Sequence, residues 1–348
     1  MSSWPEIFST LIKREDLARS QANWAMNEIL SGQATPAQVG GFLIGLKSKG
    51  ETVEELMGLV TSMVSNGEVC EVENPENLVD TCGTGGDRSG TFNISTCAAL
   101  VISGAGVKVA KHGNRAATSK SGSADVLEEL GVAINLSAKG VAHCINTVGF
   151  GFFLAQRYHS AMRHASPIRS ELGVPTAFNL LGPLSNPAKA GRQLIGVADR
   201  TVAEKMREVL AQKGTKHAFI VHSDEGLDEI STVSSTWVLE IKRDESGKIS
   251  KSSFEINPSN YGFKLAEPAD LKGGDPKENA EIIRGILGGD LGPKRDVVLL
   301  NAGAALVVAD MAKDIKEGIE TAKSSIDSGQ AAKTLENLVK ESNWAQQL

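Results

Sequence analysis

The chain has 348 residues, of which 41% are hydrophobic, and this is enough apolar material for the cores of about two domains. Its 36 basic and 42 acidic residues give a formal net charge of −6, which excludes a globally basic surface for nucleic acid or anionic lipid. No run of about 18 apolar residues predicts a membrane span, and the N-terminus lacks the pattern of a secretory signal. We therefore expect a globular, cytoplasmic protein.

Cysteines are few and scattered, and none forms a C-x-x-C pair: Cys70, Cys82, Cys97 and Cys144. This pattern predicts free thiols in a reducing compartment rather than a disulfide framework or a zinc site. Cys82 lies in a glycine-rich stretch and could be a nucleophile, but no base is adjacent to it in the sequence.

Residues 1–72 are expected to form a small helical domain. Thr35 and Pro36 resemble an N-cap followed by proline at the first helical position, and Thr52 with Glu55 has the spacing of a capping box. Glycines stand where these helices should end, at Gly32, Gly50 and Gly67. The segment VENPENL, residues 72–78, then indicates a linker into a second domain over residues 73–348.

In this larger domain, short apolar runs alternate with helical patterns, which predicts crossover units and a mainly parallel sheet. Strands are predicted at 107–110, 132–136, 150–154, 194–198 and 218–222. A helix is predicted at 201–213, a hairpin at 237–242 and 251–256, and helices alone from residue 276 onward. The predicted fold class is α/β, with a small N-terminal helical domain and a larger domain built on a mainly parallel central sheet.

Residues 80–96, DTCGTGGDRSGTFNIST, contain four glycines followed by hydroxyl and amide side chains. Residues 88–124 contain no acidic residue but five basic ones. Glycines allow backbone N–H groups to converge on an anion, and a helix that opens near Ser95 would point its positive end at the same place. The stretch is neither a P-loop nor a dinucleotide fingerprint, because Arg88 stands where the latter needs glycine. It predicts another kind of phosphate cradle, with a flexible surface loop as the alternative.

A second polar loop begins with KHGNR, residues 111–115, and leads through ATSKSGSAD to a helix start at Ser123. A strand, a glycine, a polar loop and a capped helix again make a backbone pocket, here with cations and hydroxyls. The alternative is a solvated basic turn. Two such loops at neighbouring strand ends would flank one crevice of an open sheet.

The third element is acidic: VHSDEGLDEIS follows the predicted strand 218–222. Such a run is often only an exposed loop. Beside a phosphate cradle, however, one or two carboxylates are what Mg²⁺ needs from a protein. Asp228 and Glu229 are therefore candidate ligands, together with the hydroxyl of Ser95.

Four segments, in this order, closely resemble the anthranilate phosphoribosyltransferase family: residues 80–96, 111–131, YHSAMRHASPIRSELGVPTAFNLLGPLSNPA at 158–188, and GLDEIS at 226–231. The resemblance spans most of the chain. It implies an α/β domain of the nucleoside-phosphorylase type and a homodimer formed through the helical domain, which helices from about 165–190 would join. It also implies Mg²⁺ and transfer of a phosphoribosyl group from phosphoribosyl pyrophosphate to the anthranilate amine, a step of tryptophan biosynthesis.

The resemblance also implies which residues hold the substrates. Phosphoribosyl pyrophosphate would be bound by Gly83, Gly86, Asp87, Thr91, Asn93, Ile94, Ser95, Thr96, Lys111, His112, Gly113, Asn114, Arg115, Ala116, Ala117, Thr118, Ser119 and Ser123. Anthranilate would contact Gly83, Asn114 and Arg169, with Arg169 pairing to its carboxylate. The metal would be held by Ser95, Asp228 and Glu229, and no residue is assigned as a general acid or base.

The chain departs from the family pattern at Ser160, Pro175 and Ser223, which puts the shape of the anthranilate pocket in doubt. Two other functions share the scaffold: a pyrimidine nucleoside phosphorylase and a non-catalytic nucleic-acid-binding relative. The glycine loop favours a pyrophosphate over free phosphate, and the negative net charge disfavours nucleic acid. The signatures of a zinc protease and of a serine-hydrolase elbow are absent from the sequence.

Overall fold

The computed structural model describes residues 2–116 and 119–348. The described N-terminal region is helical: α1 (Trp4–Ile12), α2 (Arg19–Leu30), α3 (Pro36–Lys49) and α4 (Val53–Ser65). Both predicted helix starts are confirmed, because the Thr35 hydroxyl accepts from the N–H of Gln38 and Thr52 forms a reciprocal capping box with Glu55. The sequence therefore encodes the ends of α3 and α4 locally.

Seven strands of the described chain form one sheet: β1 (Val79–Gly83), β2 (Val109–Gly113), β3 (Phe150–Leu154), β4 (Arg192–Gly196), β5 (His217–Ser223), β6 (Thr236–Arg243) and β7 (Ile249–Ile256). Their order is β3-β2-β1-β4-β5-β6-β7. The first five run parallel, whereas β6 and β7 add an antiparallel hairpin at one edge. The mainly parallel sheet and the hairpin are both confirmed.

One predicted strand is absent from the described structure, and one observed strand was not predicted. The predicted strand 132–136 is wrong: this segment buries alternate side chains, but it has no neighbouring strand in the described structure. Side chains satisfy its backbone instead, since Ala133 N–H donates to Ser342 Oγ at 3.0 Å and Leu136 O accepts from the Tyr158 hydroxyl at 3.2 Å. Conversely, β1 was not predicted, because the buried polar residue Asp80 interrupts its apolar run.

The remaining helices surround the sheet: α5 (Ile94–Gly104), α6 (Ser123–Glu129), α7 (Ala138–Val148), α8 (Ala155–Tyr158), α9 (Ser166–Leu172), α10 (Phe178–Leu184), α11 (Ala203–Lys213), α12 (Pro276–Leu287), α13 (Pro293–Val308), α14 (Ile315–Asp327) and α15 (Gln330–Ala345). The predicted run of helices from residue 276 is confirmed. Helices α5 and α13 are buried almost all round, as helices in the centre of a large core are. Over the described residues, no helix is long and apolar enough to cross a membrane.

Helices α9 and α10 lie between the N-terminal helices and the sheet. Apolar residues of α1 to α4 form one buried cluster with Ala165, Phe178 and Leu181 and with side chains of β4 to β6. A second cluster contains α5, α13 and the strands β1 to β3. The segment that follows α8 thus connects the N-terminal helices to the carboxyl ends of the strands.

Candidate active site

A crevice is expected beside β1 and β4, which are neighbours in the sheet although far apart in the chain. Strand order reverses at this pair, and loops that leave such a point in opposite directions open a ligand site. The two loops touch at their bases: Thr84 N–H donates to Gly196 O at 2.9 Å, and Ala198 N–H donates to the Thr84 hydroxyl at 3.2 Å. The glycine-rich loop, residues 83–92, starts here.

The glycine loop needs its glycines for two different reasons. Gly85 and Gly86 have φ of +66° and +86°, and a Cβ on either would meet no atom within 4 Å. Their role is conformational, and the space beside their backbone is open. Gly83 is required by packing instead, because a Cβ there would lie 2.4 Å from Oδ2 of Asp228.

The acidic turn after β5 binds directly to the glycine loop. Asp228 Oδ2 accepts a hydrogen bond from Gly85 N–H at 2.8 Å, and Glu229 Oε1 accepts one from Ser95 N–H at 3.2 Å. Ser95 lies in the first turn of α5, so Glu229 occupies the positive end of that helix. The structure thus brings together the three predicted metal ligands, which come from distant parts of the sequence.

Both carboxyl groups resist ionisation in this position. Burial, together with the charge of the nearby Asp87, raises the pKa of Asp228 to about 7. Burial also raises the pKa of Glu229 to about 8, with the charge of Asp228 adding to the effect. A divalent cation would relieve this repulsion, and the available donors are the oxygens that Mg²⁺ prefers.

Two carboxylates and a hydroxyl leave most of a magnesium shell to water and substrate phosphates. The described residues contain no group of three or more His, Cys, Asp or Glu side chains that could hold a metal ion. The neighbouring Glu225 is not free to contribute, because its carboxylate is bound to the hydroxyls of Ser231 and Ser234. The donor set therefore fits a magnesium ion that arrives with a phosphate ligand.

A buried charged layer lies under the crevice. The side chain of Lys111, the central residue of β2, donates to Thr81 O and lies 3.4 Å from the Ser95 hydroxyl. Burial lowers the pKa of Lys111, and the charges of Asp80, Cys82 and Glu229 oppose this shift. Burial, with the Asp80 charge, also raises the pKa of the Cys82 thiol, so it lacks the thiolate character of a nucleophile.

Asp80 is fully buried and joins three segments. Its Oδ1 accepts from His112 N–H at 3.1 Å, and its Oδ2 accepts from the Asn186 side chain at 2.8 Å. The Asn186 amide also donates to Ala110 O at 2.8 Å. Neither Asp80 nor Asn186 was identified from the sequence as a site residue. Asp80 could have been identified from the sequence, because it is a polar residue inside an apolar run.

The second polar loop is held by its own acid. Asp125, in the first turn of α6, accepts from Ala116 N–H at 2.8 Å and from Gly122 N–H at 2.9 Å. Arg115 pairs with Asp125 at 3.0 Å and with Glu128 at 2.8 Å. Its guanidinium is therefore already engaged. The Ser123 hydroxyl donates to Asn114 O at 3.3 Å, whereas Ala117 and Thr118 lie outside the described residues.

Some predicted phosphate-binding side chains face the protein instead of the crevice. Ile94 and Thr96 are each 1% exposed, so only their backbone can reach a ligand. The Asn93 amide binds Ser121 O at 3.1 Å and accepts from the Asn279 amide at 2.9 Å, which locks the second loop to α5. The partly or fully exposed residues of the predicted phosphate set are Gly83, Gly86, Asp87, Thr91, Asn93, Ser95, Gly113, Asn114, Arg115, Ala116, Ser119 and Ser123.

Helix α10 connects the second loop to Arg169. His112 Nδ1 lies 3.0 Å from Gly182 O in α10, and burial lowers the pKa of His112 to about 4, so the ring is neutral near pH 7. Arg169, in α9, has its guanidinium 5.1 Å from the centre of the Phe178 ring at the start of α10. It forms no salt bridge in the described structure, and burial lowers its pKa. A half-buried cation above an aromatic ring is suited to an aromatic carboxylate.

The three departures from the family pattern lie in different environments. Ser223 is fully buried, and its hydroxyl accepts from Leu227 N–H at 2.8 Å, which closes the turn before Asp228. Ser160 and Pro175 are exposed, and Ser160 lines an open groove with Arg157. Ser223 therefore has a positioning role that sequence analysis did not identify.

Comparison with known proteins agrees with this arrangement. Residues 75–332 match the a/b domain of a glycosyl transferase family, and residues 5–67 match the helical bundle domain of the same family. A Clostridium beijerinckii anthranilate phosphoribosyltransferase is 49% identical over 94% of this chain and 95% of its own length. The similarity therefore covers both the helical and the α/β parts.

Solved structures show the same fold. The crystal structure of the Thermus thermophilus anthranilate phosphoribosyltransferase superposes with a TM-score of 0.89 at 39% identity, over 97% of this chain and 99% of that one. The Saccharomyces cerevisiae enzyme, solved in complex with phosphoribosyl pyrophosphate and Mg, has a TM-score of 0.88 at 30% identity and 98% coverage of both chains.

Proposed function

The chain belongs to the anthranilate phosphoribosyltransferase family, and we propose that it carries out that family's reaction in the crevice between the glycine loop, the second polar loop and the acidic turn. It is a pentosyltransferase that moves the phosphoribosyl group of phosphoribosyl pyrophosphate to the amine of anthranilate. The products are N-(5-phosphoribosyl)anthranilate and pyrophosphate, in a step of tryptophan biosynthesis. The observation that carries the proposal is the hydrogen bond from Gly85 N–H to Asp228, which joins the phosphate loop to the acidic turn.

We assign the phosphates to open backbone and nearby hydroxyls. Gly86 and Asp87 would offer backbone N–H groups from the glycine loop, and Thr91 and Ser95 would add hydroxyls. The amide of Ser119 and its neighbours would do the same from the second loop. Lys111 would contribute its positive charge from beneath the crevice and not by direct contact, because its ammonium is bound to Thr81 O. Such preorganised donors stabilise the negative charge that develops on departing pyrophosphate.

Ser95, Asp228 and Glu229 would hold Mg²⁺, which the solved yeast relative carries together with phosphoribosyl pyrophosphate. When bound, the ion neutralises negative charge on the pyrophosphate. Asp228 and Glu229 must lose their protons to bind it; burial opposes this loss by raising their pKa values, and the bound cation favours it. The Ser223 turn keeps the two carboxyl groups at the mouth of the crevice.

Anthranilate would bind through its carboxylate to Arg169, next to the second loop, with Gly83 and Asn114 beside it. An arylamine already presents a lone pair, so the chain needs to orient the amine rather than deprotonate it before attack at ribose C1. The neutral, buried His112 is consistent with this, since its proton on Nδ1 would be directed to Gly182 O. No residue is assigned as general base.

The assembly and location of the chain are further proposals. We place the boundary between the helical and catalytic domains at residue 72 and propose a homodimer formed through the helical domain. Ile12 and Ile44, in α1 and α3, are exposed apolar side chains in that domain. All four cysteines are free thiols, as predicted, which suits a reducing compartment such as the cytoplasm.

The activity can be followed as loss of anthranilate fluorescence in the presence of phosphoribosyl pyrophosphate, with and without Mg²⁺. The Asp228→Asn variant should require at least about 10-fold more Mg²⁺, since it removes one of two charged ligands. Asp224→Asn is the matched control, because Asp224 is an exposed acid of the same turn. Equal magnesium dependence of the two variants would contradict the assigned site.

The same assay separates the alternatives. A pyrimidine nucleoside phosphorylase would turn over a nucleoside with inorganic phosphate and would ignore anthranilate. A nucleic-acid-binding relative would show salt-sensitive RNA or DNA binding without turnover. Neither outcome is expected, because the relatives that match over the whole chain are anthranilate phosphoribosyltransferases.

A further inference from the structure

The distal half of the glycine loop is paired to a segment outside every motif that the sequence revealed. Phe92 N–H donates to Leu271 O at 3.2 Å, and Gly273 N–H donates to Gly90 O at 3.0 Å. Thr91 and Lys272 form an isolated antiparallel bridge between these two contacts. The segment Leu271–Gly273 therefore fixes the position of Gly90–Phe92, and Lys272 is its central residue.

The side chain of Lys272 extends along the same loop. Its ammonium donates to Ser89 O at 2.5 Å, and a Cβ on Gly90 would lie 3.5 Å from its Nζ. Lys272 is an exposed residue, and in the described part of the chain it forms no salt bridge with an acidic group. A single neutral carbonyl is therefore its known partner. A phosphate oxygen would be a stronger one, because charge-assisted hydrogen bonds exceed neutral ones.

Two basic side chains of the recognised motifs, Lys111 and Arg115, are already bound within the protein. Lys111 is 2% exposed and bound to Thr81 O. Arg115 is paired with Asp125 and Glu128. A diphosphorylated sugar carries several negative charges, and the magnesium site at Asp228 lies at the proximal half of the loop. Lys272 places an ammonium group at the distal half.

We infer that Lys272 is a phosphate-contacting residue: on substrate binding its ammonium leaves Ser89 O and binds a phosphate group of phosphoribosyl pyrophosphate, holding the glycine loop against it. The inference rests on the proposed function for the identity of the phosphate compound. The exchange costs one hydrogen bond to a carbonyl and requires no movement of the backbone pairing. The recognised phosphate could be the pyrophosphate or the 5-phosphate, which share the same chemistry.

The test compares Lys272→Met, Lys272→Arg and the control Lys277→Met in the full chain. Methionine keeps most of the aliphatic stem and removes the charge, and Lys277 is an exposed lysine at the start of α12. In Lys272→Met we expect the KM for phosphoribosyl pyrophosphate to rise about 10- to 150-fold, the range for loss of one charge-assisted hydrogen bond. The KM for anthranilate at saturating phosphoribosyl pyrophosphate should not change, and arginine should restore most of the affinity.

Direct binding distinguishes the two phosphates and is independent of turnover. Calorimetric titration with inorganic pyrophosphate and Mg²⁺, and separately with ribose 5-phosphate, should weaken in Lys272→Met for whichever group Lys272 holds. These titrations remain informative if the wild-type chain fails to convert anthranilate, so failure of this inference and failure of the proposed function are distinguishable.

The inference is overturned if Lys272→Met binds phosphoribosyl pyrophosphate and both probes as tightly as Lys277→Met does. It is also overturned if Lys272→Met lowers kcat or raises both KM values together without a specific loss of phosphate affinity, because that result indicates a structural role for the loop pairing. Thermal unfolding of each variant shows whether the fold is retained.

Discussion

A single methyl group added at Gly83 should displace a carboxylate of the site. Gly83 ends β1, and a Cβ there would overlap Oδ2 of Asp228 at 2.4 Å, a distance that real Cβ contacts do not reach. Either Asp228 must move or the glycine loop must shift away from it. The hydrogen bond from Gly85 N–H to Asp228 would then be lost.

We therefore expect Gly83→Ala to lower kcat/KM for phosphoribosyl pyrophosphate by at least about 10-fold, as misplacement of positioning groups does. Steady-state kinetics at several Mg²⁺ concentrations measure this. Gly40→Ala is the control, because Gly40 lies inside α3 with its nearest new contact at 3.8 Å, and alanine should stabilise the helix by about 1 kcal/mol. Wild-type kinetics in Gly83→Ala would show that Asp228 does not need its observed position.

At this scale the sequence indicates which residue types meet a phosphate, but it does not indicate where each side chain points. The motif contains Asn93 and Arg115, whose side chains bind other parts of the protein. Asn279 lies in α12, far along the chain, so the outcome for Asn93 depends on tertiary packing. Glu128 lies in α6, the helix that follows the second loop, so the Arg115 pair is local. Lys272 shows the converse, since it lies far outside the motifs and contacts Ser89.

Single elements were predicted well where their signals are local. The ends of α3 and α4 follow from side chains three residues apart, and the hairpin β6–β7 follows from its turn residues and alternating pattern. Segment 132–136 shows the limit of the pattern. It has the alternation of a strand, but a ladder needs a neighbour, and Ser342 and Tyr158 satisfy its backbone instead.

Strand β1 was not predicted because it contains the polar residue Asp80, and the same residue gives the strand its role in the site. Asp80 is polar, yet it is fully buried because it bonds to the backbone of β2 and to Asn186 from the segment after α10. Burial raises its pKa, and these hydrogen bonds together with Lys111 oppose the rise. The pair Asp80 and Asn186 thus aligns three elements that carry the glycine loop, the second loop and the anthranilate side of the crevice.

Replacing Asn186 by alanine should destabilise the fold by about 2–4 kcal/mol, because it removes the donor to Oδ2 of the buried Asp80 and leaves only the His112 N–H on Oδ1. Urea unfolding measures the change, with Asn260→Ala as the control, since Asn260 is exposed. A loss below about 0.5 kcal/mol, the range of ordinary surface changes, would mean that water or another group replaces the Asn186 amide.

At the scale of the whole molecule, the net charge of −6 conceals an uneven distribution. Residues 88–124 carry no acid, whereas the carboxyl groups of Asp87, Asp228 and Glu229 lie together at the edge of the crevice. The separation of basic and acidic residues was visible in the sequence. The contact between the glycine loop and the acidic turn was not, because about 130 residues separate them and only the strand order brings them together.

The buried carboxyl groups of Asp228 and Glu229 should make the free energy of unfolding depend on both pH and Mg²⁺. In the unfolded chain both carboxyl groups lose their protons near pH 4, whereas the folded pKa values are about 7 for Asp228 and about 8 for Glu229. Between the unfolded and the folded pKa values, the folded state therefore binds more protons than the unfolded state does. For this reason the free energy of unfolding falls as pH rises from 6.5 to 8.5. The buried His112 and His159, with pKa values lowered to about 4 and about 3, give the opposite slope, but only below about pH 6.5.

Without Mg²⁺ we expect the melting temperature to drop by a few degrees between pH 6.5 and 8.5, since about 1 kcal/mol shifts the melting temperature of a large domain by about 2–4 °C. Added Mg²⁺ should reverse the drop more at pH 8.5 than at pH 6.5, because it binds the ionised carboxylates. Asp228→Asn should flatten both effects, whereas Asp224→Asn should keep them. Differential scanning fluorimetry over this pH range is sufficient, and a melting temperature that rises with pH in the absence of metal would contradict the raised pKa values from which the magnesium site is argued.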